Sequence, residues 1–254
     1  MTLSIIVIAR NEAGAIGRCL GSVAWADEII VLDANSDDGT AAIARGFNAR
    51  VETETDWPGF GPQKNRALTL ARGDWVLSLD ADEWITPELR AEIQRGLAAP
   101  GNNLAFKMPR RSSYCGRFMR HSGWWPDYVT RLFKRGAARF SDDLVHERLI
   151  VDGAVGMLHA SLMHEAIANL DDALAKMNAY SSAGAAMQFE RGRKASLGGA
   201  LGHGAWTFFR TYVLRAGFLD GREGFMLAVS NAEGAYYRYL KLMLLSEKRA
   251  SGNG

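Results

Sequence analysis

The chain has 254 residues, 48% of them hydrophobic and 23% charged, enough for one large domain with or without an appendage and too apolar for a disordered chain. A formal net charge of +2 says little about partners by itself, and no nucleic acid is expected among them. The two cysteines, Cys19 and Cys115, lie far apart without zinc-site spacing, which fits a reducing compartment and excludes a disulfide framework.

Leu3–Ala9 is a nearly continuous apolar run and reads as a first strand, followed by a helical pattern over residues 13–23. Residues 28–32 read as a second strand ending at Asp33, residues 38–45 as a helix, and a short strand is expected near Arg50 and Val51. A helix over 61–71 leads to a strand over 75–79, and a further helix over 86–97 carries Pro87 in its first turn. This alternation is the signature of parallel βα units. After Pro100 the runs shorten, at 104–109, 128–133, 144–151 and 154–164, which suits a mixed sheet completed by antiparallel strands. A long helix over 170–191 follows.

The tail differs in kind. From Arg191 onward ten Lys or Arg stand against four Asp or Glu. Two amphipathic helices are expected there, the second with Phe225, Val229, Ala232, Tyr236, Tyr239, Leu240 and Met243 near one face. Such a stripe suits core or a dimer seam, whereas Trp206, Phe208, Phe209 and Tyr212 beside Arg210 and Arg215 suit a lipid headgroup boundary. Met1 leads into the first strand without a basic leader, and no run reaches the roughly 18 apolar residues of a spanning helix. The expected location is the cytosol or a membrane surface.

The run from Trp75 to Leu79 ends in three carboxylates, Asp80, Asp82 and Glu83. In open α/β sheets ligands collect outside the carboxyl ends of the strands. Alternate residues of an extended segment point the same way, so Asp80 and Asp82 can converge on a divalent cation that keeps waters and also holds phosphates. The plainer alternative is a helix N-terminus, which favours Asp and Glu. Three other segments fall on the same side of the sheet: Ala9-Arg10-Asn11-Glu12, the run from Asp33 to Thr40, and Gln63-Lys64-Asn65-Arg66. Together they supply acceptors for a nucleoside and cations for a diphosphate. Singly, Asp38 can be a helix cap, Asp33 a turn former and Lys64 a solvated charge.

Those four segments, with Ala71-Arg72-Gly73-Asp74-Trp75, resemble the successive motifs of family 2 glycosyltransferases. Residues 122–127, Arg131-Leu132-Phe133, residues 145–149 and Gly217 to Gly221 are similar to the lipopolysaccharide-core glucosyltransferase branch. The resemblance implies an α/β class chain with a GT-A (Rossmann-like) mixed sheet flanked by helices, over residues 1–192, and a C-terminal amphipathic helical appendage over 193–254. Residues 1–100 would form the nucleotide-sugar half and 101–192 the acceptor half. It further implies a nucleotide-sugar donor, UDP-linked, Mg²⁺ or Mn²⁺, and inversion at the anomeric carbon. Glu12 and Asp33 would hold base and ribose, Arg10 and Lys64 would lie near the diphosphate, Asp80 would face the ribose or sugar, and Asp82 would be the main metal ligand. Glu83 would touch the donor sugar or favour the next helix.

An inverting transfer needs a base opposite the leaving diphosphate. Glu147 is the choice, with Asp127 and Asp143 as rivals and a salt bridge to Arg148 or Arg131 as its plainer role. His164 or His146 would complete a metal shell. Trp124, Trp125 and Arg131 would form an acceptor platform, since sugars stack on indoles and Arg forks onto phosphates, and Arg110, Arg111, Arg117 and Arg120 suit an anionic acceptor. The expected acceptor is a lipid-anchored saccharide such as the lipopolysaccharide inner core. The enzyme would lie on the inner face of the cytoplasmic membrane, held by its tail, with a homodimer as the tail's other use. A non-catalytic nucleotide-binding scaffold of the same fold, and a transferase acting on another polysaccharide or lipid-phosphate acceptor, are the alternatives. A Rossmann oxidoreductase is disfavoured, because no GxGxxG follows the first strand.

Overall fold

The computed structural model of the chain describes residues 1–141 and 148–250. They form two compact units, residues 1–110 with 127–164, and residues 111–126 with 165–250.

The first unit begins with the alternation read from the sequence: β1 Leu3–Ala9, α1 Ile16–Val23, β2 Glu28–Asp33, α2 Thr40–Gly46, β3 Arg50–Thr53, α3 Phe60–Leu70 and β4 Trp75–Asp80. A three-residue strand, β5 Glu83–Ile85, precedes α4 Pro87–Ala98, so Glu83 belongs to the sheet rather than to a helix N-terminus. Thr86 caps that helix, its hydroxyl accepting the Leu89 N–H at 3.3 Å. Then come β6 Asn103–Tyr114, β7 Arg117–Phe118, β8 Asp127–Lys134, β9 Ala138–Phe140, β10 Leu149–Val151, β11 Ala154–Met157 and β12 Leu162–Ile167. The main sheet runs β3-β2-β1-β4-β8-β6-β12-β5. Its first four strands are parallel, and β8 enters antiparallel to β4 with Leu77 opposite Leu132. The sheet is therefore mixed, as expected.

Burial explains why these segments are strands. Every residue of β1 is buried, with alternate side chains entering two different cores. Ile5 and Val7 pack with Ile16, Leu20 and Val23 of α1 and Leu89 and Ile93 of α4. Ile6 and Ile8 pack with Ile30, Leu32, Val76, Phe133 and Ala67 of α3. Each such aliphatic side chain contributes about 1.5–3 kcal/mol on leaving water.

The turn into β4 is fixed by a close approach. A Cβ on Gly73 would lie 2.7 Å from the Ser4 N, and the Gly73 N–H donates to the Ser4 hydroxyl at 2.8 Å. Asp74 accepts from the Thr2 N–H at 2.8 Å, so the Ala71-to-Trp75 motif seats the start of β4 against β1.

The second unit holds α5 Leu170–Glu190, α6 Leu197–Phe209, a π turn Arg210–Leu214, a 3₁₀ turn Gly217–Asp220 and α7 Gly221–Ala250. Helix α7 packs on α5 and α6. Its buried apolar side chains are Leu227, Ala228, Ala235 and Leu242, a heptad-like stripe offset from the face read from the sequence, on which Phe225 is 47% exposed. Lys241 ties α7 to α5 by donating to the Asn178 side-chain oxygen and the Ser181 and Ser182 hydroxyls, each at 2.8 Å. No helix among the described residues is long and apolar enough to cross a membrane.

Candidate functional site

The loops that follow β1 and β2 are laced together at the carboxyl edge of the sheet. Asn11 and Asn35 adopt left-handed backbone conformations, which asparagine tolerates better than most residues. The Asn11 N–H donates to the Ser36 hydroxyl at 2.9 Å and the Asp37 N–H to the Asn11 side-chain oxygen at 3.0 Å. The Glu12 N–H donates to the Thr40 hydroxyl at 2.8 Å. Asp33 is buried and accepts from the Ser36 N–H and hydroxyl, the turn-forming role that its sequence position allowed. Asp38 accepts from Thr40 and from the Ala13 N–H, bonds that hold its carboxyl below the usual range. Arg10 is exposed beside these loops.

Lys64 is no solvated charge. Its side chain is 2% exposed, and its ammonium lies 2.8 Å from one oxygen of Asp80 and 5.7 Å from the Phe140 ring centre. Its neighbour Asn65 exchanges two 2.9 Å hydrogen bonds with the Phe140 backbone and so pins α3 to β9. Gln63 is fully buried, and its side-chain nitrogen has no hydrogen-bond partner.

The other oxygen of Asp80 accepts a short hydrogen bond from Arg131, which leaves β8 one position before Leu132. Arg131 also donates to Glu83 at 2.6 Å. Glu83, wholly buried, accepts as well from the Asp80 N–H at 3.0 Å and lies 3.4 Å from Arg110. Arg110 in turn reaches one oxygen of Asp127 through two nitrogens, at 2.7 and 3.0 Å. Three cations, Lys64, Arg131 and Arg110, thus face three carboxylates, Asp80, Glu83 and Asp127. Burial alone would raise the Asp80 carboxyl, but Arg131 and Lys64 outweigh it and hold that group well below the usual carboxylate range. Burial likewise opposes charge on Arg131, and Asp80 with Glu83 reverses the sign. Beneath the cluster the Cys19 thiol lies 3.6 Å from the Asp80 carbonyl. Its pKa is pushed well up, and ionisation opposed, by burial, then by Glu83, Asp80 and Asp82.

Asp82 stands outside that balance. One of its oxygens lies 3.4 Å from the His164 Nε2, and His164 is the cross-strand partner of Glu83 in the β5–β12 pair. No cluster of three or more His, Cys, Asp or Glu fit for a metal occurs among the described residues. A carboxylate and an imidazole 3.4 Å apart nevertheless suit a cation that completes its shell from phosphate and water. Arg131 Nε is a second buried nitrogen without a partner. These unspent donors beside a balanced ion cluster fit an anionic ligand.

Several expected residues are engaged by partners of their own. Arg131 presents no free fork to an acceptor, because its guanidinium is 9% exposed and engaged by two carboxylates. Trp124, expected on an acceptor platform with Trp125, packs edge-on against the buried Tyr114 ring in the second unit, 6.1 Å between centres. Trp125 precedes a cis proline there. Asp127 carries the Arg110 pair. Glu147, His146 and Asp143 fall outside the described residues. Glu83 and Arg110 gained structural roles that no local pattern announced.

Residues 4–155 match the family described as Glycosyl transferase family 2. An uncharacterized glycosyltransferase of Rickettsia bellii is 30% identical, with the match covering 96% of this chain and 86% of the relative. The lipopolysaccharide core biosynthesis glycosyltransferase LpsC of Rhizobium meliloti is 29% identical over 98% of this chain and 94% of its own. Among solved structures, S. aureus TarS 1-349 in complex with UDP aligns with a TM-score of 0.51 and 17% identity, covering 99% of this chain and 92% of that one. Mannosyl-3-phosphoglycerate synthase from Rubrobacter xylanophilus aligns with a TM-score of 0.50 and 21% identity, covering 70% of each. At those identities the two structures speak to fold alone.

Proposed function

The chain belongs to glycosyl transferase family 2, and from that premise we propose that it moves a hexose, glucose in the first instance, from a UDP-linked sugar to a lipid-anchored saccharide with inversion at the anomeric carbon. It is a glycosyltransferase of GT-A fold, similar to an enzyme named for lipopolysaccharide core biosynthesis. The proposed acceptor is accordingly a lipopolysaccharide inner core, met at the inner face of the cytoplasmic membrane through residues 193–254.

The observation that carries this reading is the division of charge at the end of β4. Asp80 is held ionised between Lys64 and Arg131, while Asp82 and His164 stand together outside the balanced cluster. In the proposed complex Asp82 and His164 would hold Mg²⁺ or Mn²⁺, which when bound would stabilise the charge that builds on the departing diphosphate. Lys64 and Arg131 fix the Asp80 carboxylate in one position, and the ordered pair orients the ribose and sugar before reaction. Glu12 and Asp33 are assigned to the base and ribose, the latter by exchanging its Ser36 bonds for ligand hydroxyls. Arg10 is assigned to the diphosphate.

Glu147 is proposed as the base that takes the acceptor proton, with Asp127 as the alternative. Asp127 already accepts two bonds from Arg110 on one of its oxygens, which commits it to that pair, so Glu147 is preferred. The test is release of nucleoside diphosphate from a panel of nucleotide sugars with Mn²⁺, with and without lipid acceptor. Turnover confined to UDP-sugars and stimulated by lipid acceptor supports the proposal. Turnover with another nucleotide alone, or on water-soluble acceptors only, counts against the donor or the acceptor assignment.

A further inference from the structure

The second unit contains a cavity of about 740 Å³ that the donor site does not use. Four arginines line it, Arg111, Arg117, Arg120 and Arg222, against two carboxylates, Asp220 and Glu223. The carboxylates are already engaged. Asp220, 1% exposed, accepts from the Arg120 and His121 N–H groups at 3.1 and 2.9 Å and lies 3.2 Å from the His121 ring nitrogen. Glu223 lies within ion-pair reach of Arg222 and Arg117. Arg111 and Arg120 line the same hollow, within electrostatic reach of each other and of Asp220. The Arg111 Nε is buried without a hydrogen-bond partner, and burial, then Arg120, disfavours the Arg111 charge more than Asp220 favours it. A buried guanidinium nitrogen without a partner, in a hollow where four arginines outnumber two carboxylates, suits an anionic ligand.

An exposed apolar stretch of chain ends at the cavity. Leu219 lines it at 55% exposed, Phe218 beside it is 51% exposed, and Val213 and Leu214 just before are 44% and 59% exposed. Four large apolar side chains bared within seven residues, the last of them lining a cationic hollow, match the boundary of a lipid layer. A soluble anion would satisfy the arginines and leave this stretch wet.

We propose that the hollow binds a phosphomonoester carried on a membrane lipid, with Arg111 and Arg120 gripping its oxygens while Phe218 and Leu219 enter the acyl region beside it. The surplus of two positive charges matches the charge of about −1.5 to −2 on a phosphomonoester, and exceeds what a phosphodiester offers. Paired guanidinium forks suit tetrahedral oxygens better than a single carboxylate. The proposal rests on the membrane-surface reading of the tail and makes one pocket its anchor.

The test is flotation of the full chain with phosphatidylcholine vesicles, alone, with phosphatidic acid, and with phosphatidylserine at matched surface charge. Expected are preference for phosphatidic acid over phosphatidylserine, displacement by inorganic phosphate, and a loss of about tenfold per arginine in Arg111→Gln and Arg120→Gln. Phe218→Ser with Leu219→Ser should weaken binding to both anionic vesicles. Circular dichroism melts report whether each variant is folded. Arg120 is exposed and its Asp220 bond uses the backbone, so the Arg120 variant keeps the test open if Arg111→Gln fails to fold. Equal flotation of folded Arg120→Gln and the unaltered chain on phosphatidic acid overturns the pocket, as does no preference between the two anionic lipids. Arginine-dependent binding of inorganic phosphate without flotation overturns the lipid source. Flotation on no vesicle at all overturns the membrane reading as well.

Discussion

Replacing Glu83 by Ala tests whether the balanced ion cluster holds the donor site in shape. Glu83 is fully buried and accepts from Arg131 at 2.6 Å and from the Asp80 N–H at 3.0 Å, with Arg110 at 3.4 Å. Its removal leaves a buried guanidinium facing Asp80 alone and strips the Asp80 amide of that acceptor. Breaking a buried ion pair from one side costs about 3–5 kcal/mol, because the remaining charge is uncompensated. Glu83→Gln keeps an acceptor and should cost only about 1–3 kcal/mol. Urea unfolding of the single variants and of the Glu83→Met, Arg131→Met pair gives the coupling energy. The pair is expected to be more stable than Glu83→Ala, since apolar replacement of both partners removes the unmatched charge, yet to have lost donor turnover, since Asp80 is no longer fixed. A cost below about 1 kcal/mol for Glu83→Ala, or strict additivity in the pair, would refute the assigned role.

Asp82→Ala should keep its fold and lose the thermal stabilisation that Mn²⁺ with UDP gives the unaltered protein. His164→Ala should lose part of it, and equal stabilisation in all three would remove both from the metal site. The Asp80 carboxyl is held below its ordinary value of 3.8, so the stability it contributes is complete above about pH 4 and is lost as pH falls through its folded value. The acid limb of stability against pH should therefore be shallower in Asp80→Asn, and an unchanged slope would contradict the ion-pair geometry. Glu147→Gln should lower kcat steeply with little change in KM, whereas Asp127→Asn should mainly loosen Arg110. The reverse pattern would exchange the two roles. Gly73→Ala forces a Cβ against the Ser4 backbone and should lower the melting temperature, which differential scanning calorimetry reads directly.

The nucleotide half was legible because parallel strands buried on both faces read as unbroken apolar runs, and β1, β2 and β4 appear where those runs stand. The partners of the carboxylates were less so. Glu83 meets Arg131 and Arg110 across 48 and 27 residues, and only the entry of β8 beside β4 brings Arg131 to Asp80. Strand β5 is three residues long and carries too little pattern to separate it from a helix N-terminus. The burial of Lys64 and its pairing with Asp80 were not legible, because a helix with a weak apolar face does not announce which of its polar residues points inward. In α7 the stripe shifted because the helix packs on two others, so no single face decides burial. The link between Arg120 and Asp220, 100 residues apart, was beyond any local signal.

The most direct measurement is Mn²⁺-dependent release of UDP from a UDP-hexose by the unaltered protein and by Asp82→Ala, each shown to be folded, in the presence of a lipid-anchored saccharide. The expected result is turnover by the unaltered protein that stops when Mn²⁺ is chelated, and none above background from Asp82→Ala. Equal turnover by the two proteins, or turnover indifferent to chelation, would contradict the assignment of the carboxylates after β4 to a metal-assisted departure of the nucleotide.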